Sequence, residues 1–222
     1  MKNAVTMTVV AGLMIVGAAS AAQAQNQLTL VQDVHVNPGK TALYEEAKLG
    51  RNTRMADAGV TFGSRTFAND RNVYSTLIPL SNMADLDKRR TELNNLAAGN
   101  STLSSEAIHH IDSYIVRRRP DLEYTPTTPR VPAGEEGFYR GFYRYLKFGT
   151  ANEAADIVRQ IRALYEENNL QIGYAVFTKV TGSGPDLSAF LPARDAADFY
   201  SNYFASLGGA PVGALVDRLN EL

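Results

Sequence analysis

The chain has 222 residues, of which 20% are charged, and its formal net charge is −1. Because this charge is close to zero and no basic stripe runs along the chain, we expect no nucleic-acid partner. The chain has no cysteine, which excludes disulfides, thiol catalysis and cysteine metal sites.

Residues 1–24 are predicted to be a secretory signal peptide. Lys2 supplies the positive start, residues 4–17 the apolar stretch, and residues 22–24 (Ala-Gln-Ala) a small-x-small cleavage site. We therefore expect an exported protein, periplasmic or secreted. Cleavage would remove Lys2 and change the formal charge from −1 to −2. No later apolar run approaches the roughly 20 residues of a transmembrane helix, so no membrane association is expected.

The rest of the chain contains an internal sequence repeat. The segment Val73–Leu86 matches Leu187–Phe199 at a shift of 113 residues, and upstream positions match at a shift of 110. Examples of the upstream matches are Gly39 with Gly149, Gly63 with Gly173, and Phe67 with Phe177. The three-residue difference falls in a turn around Gly182–Pro185, where insertions cost least. The sequence therefore predicts a first repeat at 26–124, a proline-rich linker at 125–135 and a second repeat at 136–222.

Periodicity and turn chemistry predict the elements of the first repeat. Polar and apolar residues alternate in the first segment, which is typical of a half-buried strand. Asparagine, proline and glycine residues separate the segments. The predicted order is strand Leu28–Val36, helix Lys40–Ala58, hairpin strands Val60–Phe67 and Val73–Leu80, helix Met83–Leu96, a short helix near Ser105–His110 and strand Ser113–Arg119.

The second repeat is predicted to copy this order without its last strand. Its apolar residues recur at helical spacing between two strand-like segments. The predicted elements are strand Phe138–Phe148, helix Asn152–Asn168, hairpin strands Leu170–Val180 and Leu187–Leu191, and helices Ala196–Leu207 and Pro211–Leu222.

The order strand–helix–strand–strand–helix–strand is that of ferredoxin-like domains, so the predicted fold class is α+β. In this order of elements, and in the segments LIPLSNMADL and FLPARDAADF, the chain resembles the dimeric α/β-barrel superfamily. That superfamily includes antibiotic-biosynthesis monooxygenase-like, EthD-like and NIPSNAP-like domains. The resemblance implies two tandem ferredoxin-like repeats that form a pseudo-dimer within one chain. The missing strand would leave a sheet edge that a second copy could cover, as a homodimer.

The candidate ligand-binding residues come from alternation along the first strand of each repeat. If the apolar residues of the first strand pack on helices, Asp33 and His35 face the barrel interior. The 110-residue shift adds Tyr143 and Tyr145, and Tyr139 lies on the same alternation. Such a cleft, aromatic with a few polar groups, is typical of a site for a small apolar or aromatic molecule. The alternative is that Asp33 and His35 are solvated residues at a sheet rim.

No metal site and no resident cofactor are predicted. His109 and His110 are placed at a helix C-terminus, where histidine is ordinary. His110, Asp112 and His35 would make a two-histidine-one-carboxylate set, but nothing in their spacing requires it. Some relatives in the superfamily bind haem, and for a haem site His35 would be the better placed axial ligand.

Three functional hypotheses stay open. The first is a binder of a small apolar or aromatic molecule in the cleft between the two sheets. The second is a cofactor-free or haem-dependent monooxygenase-like enzyme with His35 as base or ligand. The third is a structural or assembly protein that recruits another chain at its sheet edge. The sequence contains no G-x-S-x-G, H-E-x-x-H or dinucleotide motif, so it identifies no catalytic residue and leaves open whether the protein is an enzyme.

Overall fold

The computed structural model describes residues 28–60, 63–96, 102–206 and 210–222. The predicted signal peptide at 1–24 lies outside these ranges, as do residues 61 and 62 of the predicted strand at 60–67. Among the described helices, none is both long and apolar enough to cross a membrane.

The described part of the first half contains four strands and three helices. A left-handed glycine, Gly39, with φ of +76° makes the turn between the first strand and the first helix. Gly149, with φ of +88°, has the same place in the second half. The elements are β1 (Leu28–Val36), α1 (Thr41–Asp57), β2 (Arg65–Ala68), β3 (Val73–Leu80), α2 (Asp85–Leu96), α3 (Thr102–Ala107) and β4 (Ile108–Arg118).

The second half contains three strands and three helices within the described ranges. Its first helix is strongly amphipathic, with its apolar side buried, whereas α1 buries only Tyr44 and Met55. The larger part of the core therefore lies here. The elements are β5 (Phe138–Arg144), α4 (Ala151–Glu167), β6 (Ala175–Gly182), β7 (Leu187–Ala193), α5 (Ala196–Ser206) and α6 (Ala210–Glu221).

All seven described strands belong to one antiparallel sheet, in the order β2-β3-β1-β4-β6-β7-β5. The first four have the ferredoxin-like arrangement, and β6, β7 and β5 repeat it without a fourth strand. β4 pairs with β6 and so joins the halves, from Tyr114 opposite Gly182 to Arg118 opposite Phe177. The predicted α+β fold with two ferredoxin-like halves is confirmed, although the two expected sheets are one continuous sheet.

The sheet curls until its two end strands meet. Tyr139 on β5 packs edge-on against Phe67 on β2, with ring centroids 5.3 Å apart. The phenol oxygen of Tyr139 also lies 3.5 Å from Nη1 of Arg65 on β2. No backbone hydrogen bond joins β2 to β5 within the described ranges. Side chains alone therefore close the barrel along what we call the β2–β5 seam.

The curled sheet has an outer face covered by helices and an inner face that lines the barrel. On β1, Val34 and Val36 belong to an outer cluster with Tyr44 of α1. Val31 points the other way and packs with Tyr114. Strand alternation therefore places Thr29, Val31, Asp33 and His35 on the inner face. On β5 the same rule places Phe138 and Phe142 outside, against the main core, and Tyr139, Gly141 and Tyr143 inside.

The segment between the halves is docked on the second half. Tyr124 forms an isolated bridge with Tyr174, and Val131 is buried. Arg130 forms an ion pair with Asp198 of α5. The predicted proline-rich linker at 125–135 is thus packed against the fold and fixes how the chain passes from β4 to β5.

Several predicted boundaries are wrong, and one of them matters for the site. β4 begins at Ile108 and not at Ser113, so His109 and His110 lie on a strand and not at a helix end. The short helix α3 ends at Ala107, which is fully buried in the cluster with Val36 and Tyr44. β5 ends at Arg144, four residues before the expected Phe148, so Tyr145 lies just beyond the strand.

Candidate functional site

His35, His110 and Asp112 come together on the inner face and form what we call the His–Asp cluster. His35 lies opposite His110 in the β1–β4 ladder. Their rings stack with centroids 3.8 Å apart and planes 18° apart. The Nε2 atom of each histidine lies 3.4 Å from the same Asp112 oxygen, Oδ2. The three side chains remain one third to one half exposed, so solvent and solutes can reach them.

A β-bulge places a third histidine beside the cluster. The β1–β4 register shifts after the His35–His110 pair, because Val36 pairs with Ile108, which leaves His109 unpaired. Bulges redirect side chains and are frequent near functional sites. Here Nδ1 of His109 lies 2.6 Å from Nδ1 of His110. His109 therefore holds the His110 ring from the side opposite Asp112.

Asp33 lies directly opposite Asp112 in the same ladder and extends the polar side of the site. One of its carboxylate oxygens, Oδ2, accepts a hydrogen bond of 3.1 Å from the Tyr114 hydroxyl group. The other, Oδ1, is buried with no hydrogen-bond partner. Two carboxylates opposite each other on one face repel, so this pair disfavours the fold unless a cation or a donor lies near it.

Tyr114 links this polar side to the aromatic residues of β5. Its ring fills the space above Gly184, where an added Cβ would lie 2.2 Å from a ring carbon. Burial raises the pKa of Tyr114 well above its usual range, and the charge of Asp33 and its hydrogen bond add to this shift. The charges of Tyr143 and Tyr145 raise this pKa further.

Tyr143 lies folded over its own strand. An added Cβ at Gly141 would lie 2.7 Å from the Tyr143 hydroxyl oxygen, so glycine is what allows the ring to lie there. Phe190 on β7 meets the Tyr143 ring edge-on, with centroids 5.7 Å apart. Burial raises the pKa of Tyr143, with a further contribution from the negative charge of Asp33. Tyr143 thus belongs to the site although 46% of its surface is exposed.

The predicted site residues therefore fall into two groups. On β1, His35 is a member of the His–Asp cluster and Asp33 lies opposite Asp112. On the side of the second half, Tyr143 packs against Phe190, and Tyr145 lies just beyond β5 and is mostly exposed. Tyr139 lies apart from them, at the β2–β5 seam. Sequence reasoning missed Tyr114 as a site residue. The available signal was alternation, because Tyr114 follows His110 and Asp112 at a spacing of two.

A separate apolar cavity of about 100 Å³ lies on the outer face, between the sheet of the second half and its helices. Residues from β5, β7, α4 and α6 line it, among them Phe142, Leu191, Ile161 and Val216. It is on the opposite side of the sheet from the His–Asp cluster. Its lining is mostly apolar, with Arg144, Tyr165 and Tyr174 as the lining residues that carry polar groups, so it offers space for a mainly apolar molecule.

Comparison with known proteins supports the fold. No family model matches the chain, and no curated protein sequence matches it. Among solved structures, an anthrone oxidase-like protein superimposes with a TM-score of 0.61 at 13% identity, over 89% of this chain and 86% of that one. A proposed monooxygenase from Fusobacterium nucleatum subsp. nucleatum gives a TM-score of 0.50 at 12% identity, over 86% and 87%. The fold is the dimeric α/β-barrel fold.

A chlorite dismutase from Candidatus Nitrospira defluvii superimposes less well, with a TM-score of 0.46 at 7% identity, over 87% of this chain and 95% of that one. At these identities the likeness extends to the fold and not to the chemistry. Function must therefore be argued from the inner-face residues themselves.

Proposed function

We propose that the protein binds a small aromatic molecule on the inner face of the curled sheet, between the His–Asp cluster and the tyrosines of the second half. The observation that carries this proposal is the position of Tyr114. Its phenol donates a hydrogen bond to Asp33 of the first half, and its ring packs against Gly184 of the second half and belongs to a cluster with Phe177. Phe177 and Tyr143 both meet Phe190 edge-on, so polar and aromatic groups from both halves are connected through Tyr114.

The two sides of this site suit different parts of one molecule. Tyr143 and Phe190 offer ring edges and faces, against which an aromatic ring packs well. The carboxylates of Asp33 and Asp112 accept hydrogen bonds, so the molecule's polar end should carry a hydroxyl group or another donor. We therefore expect a phenol or a fused-ring analogue rather than a purely apolar ligand.

A second candidate function is oxidation of that aromatic molecule. It is supported by the polar cluster beside the aromatic wall, together with a fold shared with an anthrone oxidase-like protein. In such a reaction a ring methylene would lose two hydrogens and gain a carbonyl oxygen. Dioxygen would be the oxidant, with one oxygen atom entering the product and the other leaving as water.

Haem suits these residues less well than a small ligand does. Nε2 of His35 lies 3.4 Å from the Asp112 carboxylate, and the ring is stacked on His110. A haem iron bound to His35 would have to displace the carboxylate. We therefore base no part of the proposed function on haem.

Binding is tested by calorimetric titration with 1-naphthol and with its saturated analogue decahydro-1-naphthol. The two share a carbon skeleton and a hydroxyl group, but the saturated alcohol lacks the flat aromatic ring and is a weaker hydrogen-bond donor. We expect 1-naphthol to bind with a dissociation constant of about 0.1–1 mM, as suits a ligand of this size, and the saturated alcohol to bind at least about tenfold more weakly. Equal binding of both would refute an aromatic site.

Variants distinguish the inner site from the outer cavity. Tyr143→Ala and Asp33→Asn should weaken 1-naphthol binding, whereas Ala189→Leu, which partly fills the outer cavity, should leave it unchanged. If only Ala189→Leu abolishes binding, the molecule binds in the outer cavity and the proposal is wrong. For oxidation, oxygen consumption with anthrone should depend on His35 and not on Ala189.

We also propose that the protein acts outside the cytoplasm, because residues 1–24 have the pattern of a signal peptide. N-terminal sequencing of the protein recovered from cells should begin at Gln25. A chain that keeps Met1 would contradict export by this route.

A further inference from the structure

We propose that His35, His110 and Asp112 bind a divalent transition-metal ion of the Zn²⁺ type. This goes beyond the proposed ligand binding and does not depend on it. It also departs from the sequence-based expectation of no metal site, which placed His110 at the end of a helix.

The distances within the His–Asp cluster support coordination rather than hydrogen bonding. Each Nε2 lies 3.4 Å from Oδ2 of Asp112, which is longer than the 2.7–3.2 Å typical of a good N–H···O hydrogen bond. Ligand atoms about 2.1 Å from a tetrahedral ion lie about 3.4 Å from one another. All three ligand atoms lie within 4.8 Å of one another. The two rings, which are stacked with planes 18° apart, would have to rotate out of the stack to direct their nitrogens at a common ion.

The charge pattern around the cluster gives an independent reason for a cation. The β1–β4 ladder sets Asp33 opposite Asp112, so two carboxylates face each other on the inner face. Like charges directly opposite each other destabilise a sheet. In addition, Oδ1 of Asp33 is buried without a hydrogen-bond partner. A divalent ion at the cluster would attract both carboxylates, and a water bound to it could donate to that oxygen.

The choice of metal follows from the ligand atoms. Two imidazole nitrogens and one carboxylate oxygen suit Zn²⁺ or a neighbouring first-row ion, whereas Mg²⁺ and Ca²⁺ prefer oxygen ligands only. Three protein ligands leave at least one coordination position free, which is the arrangement of sites that bind water or a substrate oxygen. His109, 2.6 Å from Nδ1 of His110, takes the place of an outer partner that orients a ligating histidine.

The test is a calorimetric titration of tag-free, chelator-treated protein with Zn²⁺, because a histidine tag would add a competing site. We expect one ion per chain, no displacement by a large excess of Mg²⁺, and a melting temperature that rises with Zn²⁺ concentration. His35→Ala, His110→Ala and Asp112→Asn should each weaken binding by at least about 100-fold. Asp70→Asn, in an exposed turn, is the matched control and should bind as the parent does.

His109→Ala should weaken binding by only about 10- to 100-fold, as loss of an outer partner does. A larger loss in His109→Ala than in His110→Ala would overturn the ligand assignment. Circular dichroism of each variant verifies its folding. If the parent protein does not bind one equivalent of Zn²⁺, the proposal is overturned whatever the variants show.

Discussion

The ion pair between Glu123 and Arg118 allows a quantitative test of how the two halves are held together. Glu123 lies just after β4, and its side chain is only 7% exposed. Its carboxylate accepts hydrogen bonds from Nε and Nη2 of Arg118 at 2.8 and 2.9 Å. The same carboxylate accepts one of 3.3 Å from the amide of Val176 on β6. A single side chain therefore bridges the first half and the second.

Replacing Glu123 by alanine should lower the free energy of unfolding by about 2–3 kcal/mol. Breaking a buried ion pair costs about 3–5 kcal/mol, because the remaining charge is left without its partner. Arg118 is 40% exposed and can turn toward water, which reduces that cost. The amide of Val176 cannot turn toward water, since Val176 is buried. For a chain of this size the expected fall in melting temperature is about 5–10 °C.

The assay is urea unfolding followed by circular dichroism, on Glu123→Ala, Glu123→Gln and Glu123→Ala combined with Arg118→Ala. The glutamine variant keeps the size and one acceptor, so it should lose less than the alanine variant. The double variant should lose less than the sum of the single losses, because the two side chains interact. A loss below about 0.5 kcal/mol for Glu123→Ala, the level of an exposed pair, would refute the reasoning.

Three further changes test packing and charge. Gly184→Ala should lower the free energy of unfolding by about 1–3 kcal/mol, because its Cβ would lie 2.2 Å from the Tyr114 ring. Gly213→Ala, where nothing lies within 4 Å of the added Cβ, should not lower it in the same urea titration. Lys48→Met should raise stability more at pH 7 than at pH 10. Burial lowers the pKa of Lys48 from 10.5 to about 8 in the folded protein. Between these pH values the unfolded chain binds the extra proton, so the parent protein gains stability as the pH rises from 8 to 10.5 and the cost of burying the charge disappears. Equal gains from Lys48→Met at both pH values would count against this. Above pH 10 the protein should lose stability, because burial raises the pKa of Tyr114 in the folded state. The Tyr114 phenol therefore loses its proton first in the unfolded chain, which favours unfolding. Tyr114→Phe should reduce that loss in unfolding curves measured from pH 9 to 11, and an unchanged slope would contradict it.

The sequence predicted the order of the elements well because their boundaries depend on local chemistry. Gly39 and Gly149 mark the starts of α1 and α4, and both adopt a left-handed conformation. The hairpin strand at 73–80 was predicted with the bounds that the structure shows. Errors arose where tertiary packing decides. β4 is five residues longer at its start than its residues suggest, because pairing with β1 extends it to Ile108.

The site was predictable in part for the same reason. Alternation on β1 placed Asp33 and His35 on one face, but only the β1–β4 register could bring His110 and Asp112 beside them. That register includes a bulge after His35, which no local pattern of residues predicts. Tyr139 was grouped with Tyr143 because both lie on one strand face, whereas curling of the sheet carries Tyr139 to the seam.

The β2–β5 seam is a place where the curled sheet can part without loss of backbone hydrogen bonds between its described strands. Opening a fully paired barrel would break a row of backbone hydrogen bonds, each of which contributes about 0.5–1.5 kcal/mol to stability. Among the described residues, the contacts between the two strands are one edge-on ring pair, Phe67 with Tyr139, and the weak Arg65–Tyr139 contact. An aromatic pair of this kind contributes about 0.5–1.5 kcal/mol. We therefore expect the seam to open by side-chain rotation, on a faster timescale than unfolding of the sheet.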